Sequence, residues 1–143
     1  MMKNKQTREF KLSELFDIYG SKYLSPNIEY GDVPFLDKTK INNGVVKFVD
    51  ADKSILNYGN CITIGDHSAV AFYQEKSFLC SDHMNKLYLK QKFGLLNKYI
   101  ALYICSVINK EINGKYNYGL IFAKNKCEST IISLPVDDNG TPD

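Results

Sequence analysis

The chain has 143 residues, of which 44% are hydrophobic and 24% are charged. This length suits a single domain with one buried core, and the composition is typical of a folded protein rather than a disordered one. Charged or polar residues interrupt every apolar run and no secretory signal is apparent, so we expect a cytoplasmic protein without a membrane segment. The formal net charge of +2 is too small to indicate nucleic-acid binding by itself.

The N-terminal third is predicted to contain one short helix, one loop and one hairpin. The segment FKLSELFDIYG predicts a short helix or turn, with Ser13 as its N-cap. The stretch SKYLSPNIEYGDVP is rich in turn-forming residues and predicts a surface loop that carries Lys22 and Tyr23. INNG followed by VVKFVDA predicts a hairpin, because Asn-Gly readily adopts positive φ.

The rest of the chain is predicted to be short strands around one long helix. CITIG, AVAFYQ, FLCS, KLYLK, LIFAK and TIISLPV have strand composition. LLNKYIALYICSVINKEING predicts a helix that ends at Asn113 and Gly114. Its predicted buried stripe is formed by Leu96, Tyr99, Ile100, Tyr103, Val107 and Ile108. The predicted fold class is α/β (α+β), a single mixed domain with one long packed helix in its C-terminal half.

No catalytic or cofactor-binding motif is apparent. The chain lacks the phosphate-binding GxxxxGK[ST] and GxGxxG patterns and the Asn/Asp-Pro-Pro-Tyr/Phe motif of adenine methyltransferases. Cys80 and His83 lie close in sequence, but closeness along a strand does not make side chains converge, so a Cys–His hydrolase is a remote alternative. The four cysteines form no CxxC pair and lie in apolar surroundings, which favours buried reduced thiols over a zinc site. We expect no catalytic residue, cofactor or metal.

Polar loop residues are the remaining candidates for a functional surface. Lysine suits phosphate oxygens, asparagine, serine and histidine can read base edges, and tyrosine can stack on a base. The candidate DNA contacts are Lys22, Tyr23, Lys38, Lys40, Asn42, Asn43, His67, Ser68, Lys115, Tyr116, Asn117, Tyr118 and Lys124. Because polar loops are typical of any globular surface, these residues by themselves leave the function open.

Four segments in fixed order resemble a target recognition domain of the DNA specificity subunit of Type I restriction–modification systems, a domain also found in Type IIB systems. They are FKLSELFDIYG, GDVPFLDKTKINNGV, CITIGDHSAVAFYQEKSF and KYNYGLIFAKNKCESTIISLPVDDNGTPD, which together extend from Phe10 to Asp143. The resemblance implies an α/β domain with a twisted, partly barrel-like sheet, which reads one half of a split double-stranded DNA target and has no catalytic residues. It also implies methyltransferase (modification) subunits, a second recognition domain and, in some systems, a restriction subunit as partners.

Two features depart from the family pattern. GDHSAV replaces a turn that resembles GSxG, and the sequence ends at GTPD, where the family usually begins its spacer helix. We therefore expect one recognition domain over residues 1–143 without the spacer helix: an excised domain, one half of a split subunit or a solitary relative. The alternative is a protein-interaction module or decoy that binds a methyltransferase subunit without reading DNA. Of Tyr116 and Tyr118, we expect one to face outward and the other to pack inward.

Overall fold

The computed structural model describes residues 6–22, 29–116 and 119–142. In chain order, its helices and strands are β1 (Thr7–Lys11), α1 (Leu12–Leu15), β2 (Phe16–Tyr19), β3 (Tyr30–Leu36), β4 (Val45–Val49), β5 (Cys61–Gly65), β6 (Ala71–Gln74), β7 (Leu79–Cys80), β8 (Met84–Leu89), α2 (Lys98–Ile112), α3 (Lys124–Ser129) and β9 (Ile131–Pro135). Short 3-10 turns lie at Asn42–Gly44, Lys53–Ile55 and Gln91–Phe93. The predicted mixed α/β class is confirmed, as are the predicted strands β4 to β9 and the long helix α2.

The described strands form three sheets. The largest has the order β2-β8-β5-β6 and is antiparallel throughout. A second sheet has the order β4-β3-β7, in which β3 and β4 are antiparallel and β3 and β7 are parallel. β1 and β9 form a separate antiparallel pair. The main core lies where α1, α2 and β9 cover the four-stranded sheet.

The start of the chain differs from the predicted helix in its boundaries. β1 precedes a single helical turn, α1, and the N-cap is Lys11 rather than Ser13. The Lys11 backbone N–H donates to Glu14 Oε1 (3.1 Å), so Glu14 satisfies one of the free donors at the start of the helix. The predicted apolar side chains are buried, among them Leu12 and Leu15 on α1.

Residues 30–34, predicted as loop, belong to strand β3. Turn-forming residues are tolerated here because the strand is irregular: its register against β4 shifts between Tyr30 and Val33. A Cβ at Gly31 would lie 2.5 Å from the Asp50 backbone, so only glycine allows this close approach. Pro34 precedes the two residues that pair with β7, and its missing N–H therefore removes no bond from that short ladder.

Helix α2 ends as the sequence predicts but begins at Lys98, later than the predicted start. The predicted buried stripe is only partly right, because Leu96 and Ile108 are buried whereas the predicted core residues Tyr99, Ile100 and Tyr103 are exposed. Asn97 caps the helix by accepting the Ile100 N–H (2.9 Å), and Gly114 adopts the left-handed conformation after its end (φ 75°). The buried residues of the helix are Ala101, Ile104, Cys105, Ile108 and Ile112. The helix is apolar on more than one side, and the side with small residues lies against β6, where the backbones approach closely.

LIFAK, predicted as a strand, contains no strand. The Phe122 side chain is fully buried, its N–H donates to the Asp66 carbonyl (2.7 Å), and its carbonyl accepts from Asn85 Nδ2 (2.9 Å). The Asp66 carbonyl and the Asn85 side chain therefore bind the Phe122 backbone groups that would bond to a neighbouring strand if this segment were one. Helix α3 follows at Lys124. None of the described helices is both long and apolar enough to cross a lipid bilayer.

Candidate nucleic-acid interface

Loops from four parts of the chain meet at one end of the large sheet, and we call this region the loop cluster. It consists of residues 20–22, 37–41, 66–68 and 81–83, together with Phe122. The ladder explains the meeting of the last two loops: Gly65, the end of β5, pairs with Met84, the start of β8. Residues 66 and 83 are therefore the next pair beyond the ladder, and the Asp66 N–H donates to the His83 carbonyl (2.8 Å).

Hydrogen bonds between side chains and backbone join the other loops to this end of the sheet. The Ser21 hydroxyl donates to the Ser81 carbonyl and lies 3.2 Å from the Met84 carbonyl. The Ser81 hydroxyl in turn donates to Asp37 Oδ1 (2.7 Å), which also accepts the Lys38 N–H (2.7 Å). Three loops that are distant in sequence are thereby held together through one serine.

Five of the predicted DNA contacts belong to this cluster, but their exposure differs. Lys22 and Lys40 are exposed, and Lys38 is half-buried. Ser68 is buried, and the His67 side chain is only 14% exposed. In this structure the two lysines are the accessible members, whereas His67 and Ser68 face largely into the protein.

Asn42 and Asn43, also predicted DNA contacts, lie beyond the cluster in the turn before β4. Both adopt left-handed φ values, 54° and 56°, followed by Gly44 at 82°. The Asn43 amide donates to the Tyr73 carbonyl (3.0 Å) and to Gln74 Oε1 (3.2 Å). Gln74 Nε2 donates back to the Asn43 carbonyl (2.9 Å), so Asn43 fastens this turn to β6.

Replacement of Asn43 by alanine is expected to lower the free energy of unfolding by about 2–3 kcal/mol. The variant loses both amide hydrogen bonds and leaves the buried Gln74 with one partner fewer, and alanine is strained at positive φ. Urea denaturation measures the difference. Asn42→Ala is the matched control for the backbone strain, since Asn42 has the same left-handed φ. Equal losses in the two variants would contradict a fastening role for the Asn43 amide.

The predicted contacts after α2 are only partly described. Tyr116 is half-buried and packs edge-on against Phe122, with ring centroids 4.7 Å apart, so it faces inward. Lys115 Nζ lies 3.2 Å from Glu111 Oε1 in an exposed ion pair one helical turn apart. Lys124 is exposed at the start of α3. Tyr23, Asn117 and Tyr118 lie outside the described residues.

Sequence patterns did not indicate that the two histidines are neighbours. Their ring centroids are 5.0 Å apart, and the Asp66 carboxylate lies between them. His83 Nδ1 is 3.2 Å from Asp66 Oδ2, a contact between two loops that are 17 residues apart in sequence. The two histidines are brought together by the register between β5 and β8, which sequence patterns do not reveal.

The structure gives no support to a Cys80 nucleophile. Cys80 is buried, and burial raises the pKa of its thiol, so the reactive thiolate is disfavoured. All four cysteines are buried free thiols, as predicted. Burial also raises the pKa of three of them to about 12, namely Cys61, Cys105 and Cys127.

A second surface feature is an apolar groove along the outer side of α2, with a volume of about 480 Å³. Tyr99 and Tyr103, predicted to pack in the core, are 82% and 50% exposed and line this groove instead. Leu95, Pro135 and Pro142 contribute further apolar surface. Contiguous exposed apolar surface of this kind is typical of protein contact sites.

Known proteins resemble the chain in sequence and fold. The specificity subunit S.BcgI of a Type II restriction enzyme from Heyndrickxia coagulans is 30% identical over 145 residues, which cover 99% of this chain and 41% of that protein. The crystal structure of the Type-I restriction-modification system S subunit from M. genitalium has a TM-score of 0.67 at 16% identity, over 91% of this chain and 34% of that chain. The HsdS subunit from Thermoanaerobacter tengcongensis has a TM-score of 0.58 at 15% identity, over 90% and 33% respectively.

At these low identities, the likeness to the solved structures shows a shared fold. The chain spans less than half the length of each of these relatives. The family model of the Type I restriction modification DNA specificity domain matches residues 4–141. Since this match extends over nearly the whole sequence, the chain belongs to the Type I restriction modification DNA specificity domain family.

Proposed function

We propose that this domain reads one half of a split double-stranded DNA target for a restriction–modification complex, and that it is itself non-catalytic. Family membership supports the role. We assign DNA binding to the loop cluster because four loops meet there, at one end of the large sheet. Loops held by a rigid sheet are the usual location of recognition residues, because they vary in sequence while the framework stays fixed.

The charges of the loop cluster are compatible with DNA, although its net formal charge is zero. Its four loops contain three lysines and three aspartates. Two of the aspartate side chains are turned inward: Asp37 Oδ1 accepts the Ser81 hydroxyl, and the Asp66 carboxylate is 18% exposed with Oδ2 3.2 Å from His83 Nδ1. Lys22 and Lys40 are exposed, so the lysine ammonium groups are the more accessible charges for phosphate oxygens.

Selection from a random pool of double-stranded DNA tests the proposal. The chain is expected to enrich a short conserved sequence at low salt, and its binding is expected to weaken as salt rises. Binding without enrichment would leave only a non-specific basic surface, and absence of binding at low salt would overturn the DNA role of the isolated chain.

The groove along α2 favours a second candidate function, docking to a methyltransferase subunit. Tyrosine, leucine and proline side chains form a surface suited to an apolar protein partner rather than to phosphates.

A double variant separates docking from DNA reading. Tyr99→Ser with Tyr103→Ser is expected to weaken capture of the purified methyltransferase subunit while DNA binding persists, because both side chains line the groove and lie outside the loop cluster. Co-elution in size-exclusion chromatography and a gel shift measure the two activities. The Lys22→Ala variant is the control, since its change lies in the loop cluster. Unchanged capture by the double variant would rule out docking through this groove.

A further inference from the structure

Asp66, His67 and His83 form a compact group of potential metal ligands at the centre of the loop cluster. One potential ligand atom from each residue lies within 4.8 Å of the other two. His83 Nδ1 is 3.2 Å from Asp66 Oδ2, and His67 Nε2 is 3.7 Å from Asp66 Oδ1. The carboxylate therefore stands between two imidazoles, with one oxygen toward each.

The backbone around this group is fixed by several contacts. Asp66 lies in hydrogen bonds on both sides: its N–H donates to the His83 carbonyl (2.8 Å), and its carbonyl accepts the Phe122 N–H (2.7 Å). The turn that carries His67 is closed by the Ala69 N–H, which donates to the Gly65 carbonyl (2.9 Å). Ligands on such a framework are held in place before an ion arrives, which lowers the cost of binding.

The burial of the group favours a bound cation. The Asp66 and His67 side chains are 18% and 14% exposed. Asp66 Oδ1 is buried and has no hydrogen-bond partner among the described residues. A buried carboxylate oxygen without a donor costs stability, and a cation would offset that cost.

We propose that Asp66, His67 and His83 bind one divalent transition-metal ion of the zinc type, through the Asp66 carboxylate and two imidazole nitrogens. Zinc bonds to such ligands are about 2.0–2.2 Å long, so ligand atoms of a tetrahedral site lie about 3.3 Å apart. The 3.2 Å and 3.7 Å separations are close to this value, although they end on different oxygens of Asp66. One ligand atom from each residue lies within 4.8 Å of the other two, and side-chain rotation closes the remaining distance. A small hard cation such as Mg²⁺ prefers oxygen ligands and fits this donor set less well.

Two further features complete the site. Asp82 Oδ1 lies 3.5 Å from His83 Nε2, the nitrogen that stays free when Nδ1 binds the ion. A carboxylate in this position orients a ligating imidazole and raises its basicity. The His83 side chain is 38% exposed, which leaves a path for the ion and an open coordination position for water. The metal would join the turn after β5 to the start of β8.

Titration of the whole chain with zinc chloride under reducing conditions tests the site. We expect one ion bound per chain by calorimetry, a rise in the unfolding midpoint, and no displacement by excess Mg²⁺. Co²⁺ in place of Zn²⁺ is expected to give visible d–d bands without an intense thiolate-to-cobalt band, since the group of potential ligands contains no cysteine. A folded chain that binds no stoichiometric zinc would show that the three residues form only a hydrogen-bonded network.

Variants assign the ligands. His83→Gln, His67→Gln and Asp66→Asn are each expected to abolish stoichiometric binding, whereas Asp82→Asn is expected to weaken zinc affinity by about 10–100-fold, as for other outer carboxylates. Cys80→Ser is the control and is expected to bind zinc as the parent chain does. Retention of one tight site in a folded His83→Gln chain, or its loss in Cys80→Ser, would overturn the assignment. This test uses no DNA, so its outcome is independent of the proposed DNA reading.

Discussion

Replacement of Phe122 by alanine is expected to lower the free energy of unfolding by about 3–5 kcal/mol, the usual cost of deleting a buried aromatic ring. The ring is fully buried and packs against Tyr116 with centroids 4.7 Å apart. The substitution keeps the backbone groups of residue 122, which bond to Asp66 of the loop cluster and to Asn85 of β8, so the expected loss is that of the ring alone. Denaturation in urea, followed by circular dichroism, measures the change.

The adjacent residue supplies the control for this prediction. Ile121 is apolar and 40% exposed, so Ile121→Ala is expected to change stability far less. A Phe122→Ala chain as stable as Ile121→Ala would show that the segment after α2 is not part of the core.

The triple variant Lys22→Ala, Lys40→Ala and Lys124→Ala is expected to bind all DNA sequences more weakly and with a flatter salt dependence. Each phosphate contact contributes about 0.9 to the slope of log K against log salt, so loss of three contacts reduces that slope by about 2.7. All three lysines are exposed. The order of preference among sequences is expected to persist, because phosphate contacts position the protein without reading bases.

A second triple variant, Lys76→Ala, Lys92→Ala and Lys98→Ala, removes the same charge elsewhere. Lys76 follows β6, Lys92 follows β8 and Lys98 begins α2, all at the end of the large sheet opposite the loop cluster. Salt-dependent fluorescence anisotropy with one DNA duplex compares the two variants. Equal losses of slope in both would show that only net charge matters, which contradicts a DNA surface formed by the loop cluster and the start of α3.

Sequence patterns correctly predicted the helices and strands that depend mainly on local composition and on residues that end an element. The strands β5, β6, β8 and β9 have strand composition, and α2 carries its terminating Gly114. Where tertiary contacts decide, the patterns were wrong. LIFAK has strand composition, but Phe122 is held in the core without a strand partner. The helix α2 is apolar on two sides, and periodicity alone did not show which side the sheet would cover.

The candidate site could be predicted less well from the sequence, because tertiary contacts also decide its arrangement. Loop composition correctly placed Lys22 and Lys40 at the surface, since turn-rich segments with lysine are usually solvated. It did not show that Asn43 would hold its turn to Gln74. Nor did it bring His67 near His83, because that approach depends on the pairing of Gly65 with Met84 in the sheet.

One contact of α2 has a consequence for how the protein behaves at high concentration. β6 is an edge strand of the large sheet, and Asn109 on α2 binds both backbone groups of Ala71: Oδ1 accepts the N–H (2.7 Å) and Nδ2 donates to the carbonyl (3.1 Å). The Asn109 amide thus makes the two hydrogen bonds that a neighbouring strand would make with Ala71. An incoming chain finds these two groups already bonded, so the edge at Ala71 is closed to strand addition, the usual first step of β-aggregation.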